Sequence, residues 1–288
     1  MDMKGSIAAI KDAITKSTAE RTSPEVISAA YAVVYLIGGV LLASARLLGA
    51  AGPFGMAAVA ASGAGLNGVA ALIGAAIGYI ISCGLAGSIR YLAAIVLVYT
   101  ISFAFQDTKF ASKSVFAPAT AAVSALSTGI LSSFTSVFTQ APAAAVVLIE
   151  TVFSFGGCWF FREAMSGRER TTESEELRYA GSVLITAAVL LMAVSQIEIF
   201  GAISLGRLVA VLIVMTCTLR CGIMTGCTIG TAFGIAMDLT AGGMPFYTMA
   251  YAFAGLLSGM FNRHGRLLFL LSFTSLDKGT QPFVVCDG

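Results

Sequence analysis

The sequence is poor in charged residues. Asp, Glu, Lys and Arg make up 11% of its 288 residues, whereas soluble domains carry about 25%. Hydrophobic residues make up 57%, so the chain has too few charges to face water on every side. The sequence therefore predicts an integral membrane protein that lies in the lipid bilayer. The basic residues form no single patch and the net charge is +2, which argues against nucleic-acid binding.

Metal-binding and catalytic patterns are also lacking. The one histidine, His264, excludes a site built from several histidines. No HExxH, GxSxG or P-loop pattern occurs. We therefore predict no cofactor, no metal and no enzymatic activity for this chain as it stands. The cysteines form no CxxC pair and are interpreted as small hydrophobic residues; they are Cys83, Cys158, Cys217, Cys221, Cys227 and Cys286.

The sequence does contain a series of apolar segments, separated by polar or Gly- and Pro-containing breaks. They predict an all-α polytopic membrane protein with about ten transmembrane helices between residues 26 and 266. A cytoplasmic N-terminal segment (1–25) precedes this domain, and a short atypical tail (267–288) follows it. The predicted spans are approximately 26–48, 53–65, 66–85, 89–105, 115–138, 142–161, 179–197, 205–219, 221–238 and 246–261.

The distribution of Lys and Arg predicts the orientation. Ten spans place both termini on one side, and basic residues favour the cytoplasmic side. With a cytoplasmic N-terminus, three basic residues lie outside: Arg46, Arg90 and Arg207. Thirteen lie inside: Lys4, Lys11, Lys16, Arg21, Lys109, Lys113, Arg162, Arg168, Arg170, Arg178, Arg220, Arg263 and Arg266. This bias predicts that both termini are cytoplasmic.

Glycines recur every four residues in the ninth span, which reads GIMTGCTIGTAFG. Residues four apart lie on nearly the same face of a helix. A glycine strip lets another helix backbone approach closely inside a bilayer. We interpret the strip as a helix-packing seam, with a substrate path or a partner-binding groove as alternatives. Its predicted members are Gly222, Gly226, Gly230 and Gly234, with Gly255 and Gly259 in the tenth span.

Glu150 lies about halfway along the sixth span, in VVLIETVFSF. A carboxylate at that depth costs at least about 2.5 kcal/mol, so it should face the bundle, be protonated or pair with a base. Three roles are open: a hydrogen-bonded structural acid, a proton or ligand site, or a partner contact. Tyr, Ser and Thr hydroxyls on neighbouring spans are the candidate partners. The arginines near span ends are interpreted as anchors to lipid head groups, and Asp238 is expected to face the outer aqueous edge.

Two stretches resemble a known family. ARLLGAAGPFGMAAVAA (45–61) puts a basic residue and glycines before a Pro-Phe that opens a short span. The stretch 205–266 combines an arginine that opens a span, a GCTIG core, a glycine-rich exit and FAGLLSGMF before a basic loop. Both resemble the N-terminal membrane region of stage II sporulation protein E. Glu150 also resembles an acidic position in that family's middle spans.

The resemblance implies a ten-span membrane anchor at the asymmetric division septum of a spore-forming bacterium. In the family this anchor precedes a cytoplasmic regulatory region and a manganese-dependent serine phosphatase that helps to activate the first forespore sigma factor. It also implies self-association and contact with cell-division proteins. Here the tail 267–288 carries no phosphatase acids and resembles a truncated end, so no phosphatase residue is assigned to this chain.

The leading functional hypothesis is therefore a membrane anchor and localisation module of a sporulation phosphatase. The alternative is a small-molecule transporter or permease, for which Glu150 and the short second span are typical features. A third hypothesis is a subunit that binds a partner membrane protein through its glycine seams.

Overall fold

The structure is a computed structural model that describes residues 24–49, 51–109, 111, 113–135, 141–166, 172–196, 198–199, 203–241 and 245–261. Residues 1–23 of the predicted N-terminal segment and the whole predicted tail lie outside this part. Two short strands, β1 (Glu198–Ile199) and β2 (Ile203–Ser204), pair antiparallel. The helices are α1 (Pro24–Ser44), α2 (Pro53–Ser62), α3 (Leu66–Ala104), α4 (Phe116–Thr135), α5 (Ala141–Ala164), α6 (Glu173–Ser195), α7 (Leu205–Cys221), α8 (Ile223–Ala241) and α9 (Phe246–Phe261).

The prediction of an all-helical fold is confirmed. Apart from the two-residue strands, the regular structure of the described part is helical. Within it, four helices are long and apolar enough to cross a membrane, namely α3, α5, α6 and α8. The predicted count of ten spans is not confirmed, because the other helices do not meet that standard of length and composition.

Helix α3 folds back on itself at Gly84. Its 39 residues include one with non-helical dihedral angles, Gly84 at φ 68° and ψ 171°. The Tyr99 hydroxyl donates a hydrogen bond of 3.3 Å to the carbonyl oxygen of Ala64, although a continuous helix would hold residues this far apart in sequence about 52 Å away from each other. Residues 66–83 and 85–104 are therefore two antiparallel halves of a hairpin. They correspond to the predicted third and fourth spans.

Three reversals between helical segments use glycine in the same backbone conformation. Gly63 (φ 75°, ψ −164°) follows α2, Gly84 divides α3, and Gly222 (φ 91°, ψ −177°) separates α7 from α8. Residues other than glycine essentially never adopt this combination of angles. Gly222 differs from the prediction, because it forms the reversal rather than the packing seam, and the space within 4 Å of a Cβ position there is open.

The centre of the fold is the short helix α2. Its residues Pro53–Ala60 are all buried, and α1, α3, α4 and α5 pack around it. Ten residues span about 15 Å, half the thickness of a bilayer core of about 30 Å. Helix α2 is thus an internal element, enclosed by longer helices.

Helices α1 and the first half of α3 lie backbone to backbone. A Cβ atom at Gly74 would sit 2.1 Å from the carbonyl oxygen of Leu36, and one at Gly78 would sit 2.5 Å from that of Val40. From α1 towards α3, a Cβ atom at Gly39 would lie 2.7 Å from the carbonyl oxygen of Ala71. Side chains at these positions would force the helices apart, so the glycines permit the close approach.

Gly84→Ala tests the reversal in α3. Nothing lies within 4 Å of a Cβ position at Gly84, so the substitution strains the backbone without a steric clash. We expect a loss of about 1–3 kcal/mol in the free energy of unfolding, measured by thermal unfolding in detergent micelles. Gly87→Ala is the matched control, because Gly87 has an ordinary helical φ and a Cβ there would meet Cys83 Cβ at 3.4 Å. Equal melting temperatures for the two variants would contradict the assignment.

Candidate functional site

Glu150 forms a buried ion pair with Arg90. The carboxylate is 1% exposed, and Arg90 Nη2 lies 2.5 Å from Oε1 and 2.6 Å from Oε2. Glu150 comes from α5 and Arg90 from the second half of α3. The prediction that Arg90 anchors to lipid head groups is wrong, since its guanidinium turns inward and its side chain is 23% exposed.

Two stacked tyrosines extend this pair to the start of α2. The rings of Tyr79 and Tyr91 lie 4.7 Å apart, at 11° to each other. Tyr91 donates a hydrogen bond of 2.7 Å to Glu150 Oε1 and accepts one of 3.2 Å from the Gly52 N–H. Tyr79 donates to the Gly52 carbonyl oxygen at 2.5 Å and accepts from the Met56 N–H at 3.2 Å.

One of these contacts satisfies a backbone group that the helix cannot satisfy itself, the N–H of Gly52. The first turn of any α-helix has N–H groups without intrahelical partners, and α2 has no side-chain cap at Gly52. In a buried helix each such group costs free energy unless it is bonded. The Tyr91 hydroxyl therefore caps the N-terminus of α2. The Tyr79 hydroxyl contacts the Gly52 carbonyl oxygen and the Met56 N–H, the two groups that α-helical geometry pairs at the start of the helix.

The sequence Gly52-Pro53-Phe54-Gly55 fits this cap closely. A Cβ atom at Gly55 would lie 2.6 Å from the Tyr79 ring, and one at Gly52 would lie 3.0 Å from it. Pro53 begins the helix, where its missing N–H costs nothing. Its carbonyl oxygen accepts a hydrogen bond of 3.2 Å from the Ser154 hydroxyl on α5, which ties the same turn to a second helix.

Arg46 caps the hairpin of α3 from the neighbouring loop. Its Nη2 donates to the carbonyl oxygen of Ser82, two residues before the reversal at Gly84. Carbonyls at a helix end lack intrahelical partners, and basic side chains can bond them. Arg46 thus forms a hydrogen bond inside the protein, contrary to its predicted role as a lipid anchor. In the same loop, the Leu48 N–H donates to the Leu239 carbonyl oxygen at 2.8 Å, which joins the loop to the end of α8.

The predicted glycine seam lies between α8 and its neighbours α9 and α7. A Cβ at Gly230 would approach the Tyr251 carbonyl oxygen to 2.5 Å, and one at Gly234 would approach Thr248 Cα to 2.4 Å. In return, a Cβ at Gly255 would lie 2.7 Å from the Gly226 carbonyl oxygen. Gly226 itself faces Thr218 of α7. The surroundings of Gly259 lie outside the part that the structure describes.

Asp238 differs from its expected place at an aqueous edge. It is 9% exposed and accepts hydrogen bonds from the N–H groups of Tyr247 (2.9 Å) and Thr248 (2.8 Å). These N–H groups belong to the first turn of α9, so Asp238 caps that helix from the end of α8. Arg207 lies over the Tyr247 ring at 4.8 Å. The carboxylate and the cation both stabilise the start of α9.

Sequence reasoning identified Glu150 and tyrosine hydroxyls as candidate partners, but it did not identify Arg90, Tyr79 and Tyr91 as one set. The position of Gly84 in the sequence was the signal that could have placed these residues together. A reversal there brings residues on either side of it face to face, and Tyr79 and Tyr91 lie five and seven residues from it. Within the described residues, no group of three His, Cys, Asp or Glu side chains is placed to hold a metal ion.

The negative charge of Glu150 is neutralised in this site by the positive charge of Arg90. Glu150 accepts from a guanidinium and a phenol, and it has no appreciable contact with solvent. Charge-assisted hydrogen bonds of this kind are short and strong. The arrangement can hold three elements together: the second half of α3, α5 and the first turn of α2.

Breaking the pair tests its role. We expect Arg90→Met or Glu150→Leu to cost about 3–5 kcal/mol each, because the remaining partner becomes a buried unpaired charge. The double variant should recover much of that loss, since it leaves no charge behind. Thermal unfolding in detergent micelles measures all three.

The control for this cycle is Arg178→Met. Arg178 lies 3.7 Å from Glu163, with side chains 61% and 33% exposed, and such pairs contribute about 0–1 kcal/mol. Additive losses in the Arg90 and Glu150 double variant would show that the two residues act independently and would contradict the pairing.

Comparison with protein-family models, with curated proteins and with solved structures finds no match to this chain.

Proposed function

We propose that this chain is a membrane anchor and localisation module of the kind found in stage II sporulation protein E. The proposal rests on the location, in the structure, of the residues that resemble that family. The stretch 45–61 supplies the loop of Arg46 and nearly all of α2, and residues 51–60 are buried without exception. Glu150, the third point of resemblance, reaches the start of that helix through Tyr91. Residues with such shared contacts form one structural unit, so the resembling stretch 45–61 and Glu150 belong to the same part of the fold.

The proposed topology has ten spans with both termini in the cytoplasm. At 1.5 Å per residue the two halves of α3 are about 27 and 30 Å long, close to the bilayer core of about 30 Å. Counting them separately gives ten helical segments in the described residues. The excess of basic residues in the proposed cytoplasmic connections supports this orientation. Helix α2, enclosed by other helices, would contribute the shortest segment.

Single cysteines test this topology. In a background without native cysteines, Lys109→Cys and Glu175→Cys should both be inaccessible to a membrane-impermeant maleimide in intact cells, because both lie in proposed cytoplasmic connections. Gly49→Cys and Ile199→Cys should react, because they lie in proposed outer connections. Opposite reactivity at positions 109 and 175 would rule out the ten-span arrangement.

In this proposal the chain has no chemistry of its own. The manganese-dependent phosphatase of the family is a separate domain, so we assign no cofactor to this chain. Its role is to hold a protein at the membrane, to self-associate and to contact cell-division proteins at the asymmetric septum. Close glycine packing of α1 on α3 and of α9 on α8 supports a compact anchor.

Localisation tests this function. A fusion of the full chain to a fluorescent protein should collect in a band at the asymmetric septum of a sporulating bacterium, viewed by fluorescence microscopy. The same fusion in vegetative cells is the control and should be spread evenly over the membrane. An even distribution in both cell states would refute the anchor function while leaving the membrane topology intact.

A transporter remains the second candidate because of one observation, the buried Arg90–Glu150 pair beside a short internal helix. Ionisable residues inside a bundle mark substrate or proton paths in many transporters, and interrupted helices line their sites. The genes beside this one separate the two candidates. A phosphatase reading frame next to it favours the anchor, and an ATPase or a substrate operon favours the transporter.

A further inference from the structure

Leu48 has a strained backbone in the loop that joins α1 to α2. Its φ is 51°, and it is the one non-glycine residue with a positive φ in the part of the chain that the structure describes. An L-residue pays a steric penalty there, because its Cβ crowds the following carbonyl oxygen. Leu48 is 50% exposed, so little side-chain packing offsets the penalty. Such strain persists only where the surrounding structure imposes it.

Backbone hydrogen bonds impose this conformation on Leu48. Leu47 and Ala51 exchange two hydrogen bonds, of 2.7 and 3.0 Å, which close the loop on itself. The Leu48 N–H donates to the Leu239 carbonyl oxygen at 2.8 Å. Leu239 lies in the last turn of α8, where carbonyl groups lack intrahelical partners. The strained residue therefore makes the bond between this loop and α8.

This bond joins two groups of helices that pack poorly on each other. Helices α7, α8 and α9 pack together, and among the other described helices α6 alone packs extensively on any of them. Helix α6 in turn packs on α1 and α5. Between α8 and α2 lies a cavity of 350 Å³, lined by Phe54 of α2 and Ala232 of α8 among others. The C-terminal group α7–α9 is therefore tied to the N-terminal group α1–α5 chiefly along α6 and at Leu48.

Within the C-terminal group, α8 and α9 are joined firmly. A Cβ atom at Gly230 or Gly234 would lie 2.5 or 2.4 Å from backbone atoms of α9, so the two helix backbones are in contact. Asp238, the neighbour of Leu239 in sequence, accepts hydrogen bonds from two N–H groups in the first turn of α9. A displacement of Leu239 is therefore transmitted to α9.

We propose that the loop between α1 and α2 is a strained latch, formed by the hydrogen bond from Leu48 to Leu239. When the bond is made, it holds the end of α8 beside the start of α2. When it breaks, Leu48 relaxes to an ordinary φ, and α7, α8 and α9 rotate together about α6. Arg46 keeps the loop attached to the α3 hairpin through the Ser82 carbonyl oxygen. The latch is independent of whether the chain acts as an anchor or as a transporter.

Three substitutions at position 48 change the latch by different amounts. Leu48→Gly keeps the N–H and removes the penalty, because glycine adopts a positive φ readily, so it favours the closed latch. Leu48→Val increases the penalty, because β-branched residues rarely tolerate a positive φ. Leu48→Pro fixes φ near about −65° and removes the N–H, so the latch cannot form. Leu85→Val is the matched control, since Leu85 is 74% exposed and has an ordinary φ.

Pulsed electron paramagnetic resonance measures the rotation. Spin labels at Leu131→Cys on α4 and Met249→Cys on α9, which are 66% and 75% exposed, report the distance between the two groups. The sample is the full chain with its native cysteines replaced, in nanodiscs of phosphatidylethanolamine and phosphatidylglycerol. The released distance should dominate in Leu48→Pro. The ratio of released to closed populations should be about fivefold or more lower in Leu48→Gly than in the unaltered protein, higher in Leu48→Val and unchanged in Leu85→Val.

A second label pair distinguishes rotation from general loosening. Leu131→Cys with Ile81→Cys, which is 73% exposed, lies within the N-terminal group and should give one distance in every variant. The same Leu131–Met249 distance in Leu48→Gly and Leu48→Pro would overturn the proposal, because the loop would then be a fixed connection. A parallel shift of the Leu131–Ile81 distance would also overturn it, because the substitutions would then loosen the whole bundle.

Discussion

The ion pair between Arg90 and Glu150 determines where the short helix α2 can lie. Burying two charges is costly, and the cost is recovered only with good geometry and further hydrogen bonds. Here both carboxylate oxygens contact the guanidinium, and the Tyr91 phenol supplies a third contact. The same phenol accepts the Gly52 N–H at the start of α2. The positive end of the helix dipole thus approaches the buried negative charge through one hydroxyl.

That network exists because α3 reverses at Gly84. Tyr79 lies before the reversal and Tyr91 after it, and only a hairpin brings the two rings into stacking contact. Arg46 bonds a carbonyl just before the turn, so the loop that precedes α2 also closes the hairpin. The backbone conformation of one glycine, two aromatic rings and one ion pair are therefore parts of a single arrangement.

The sequence allowed the helical segments to be placed well but not their contacts. Apolar runs and their Gly and Pro breaks are local, so the predicted spans 66–85 and 89–105 match the two halves of α3 closely. The choice of Arg90 as the partner of Glu150 depends on packing between residues 60 positions apart, which no local pattern encodes. Gly222 had the spacing of a seam residue, but its role depends on a positive φ, and spacing alone does not distinguish a reversal from a packing contact.

The hydrogen bonds of Glu150 also help to choose between the anchor and the transporter as the function of this chain. A carboxylate has about four lone-pair positions, and Arg90 and Tyr91 take three of them. A substrate that bound Glu150 would have to displace one of these partners. Displacing Arg90 leaves a buried unpaired charge, at a cost of about 3–5 kcal/mol, which a substrate would have to recover with new contacts in a region that is 1% exposed. A satisfied and closed pair fits a group that holds helices together better than one that exchanges ligands, and this is why we place the anchor function before the transporter.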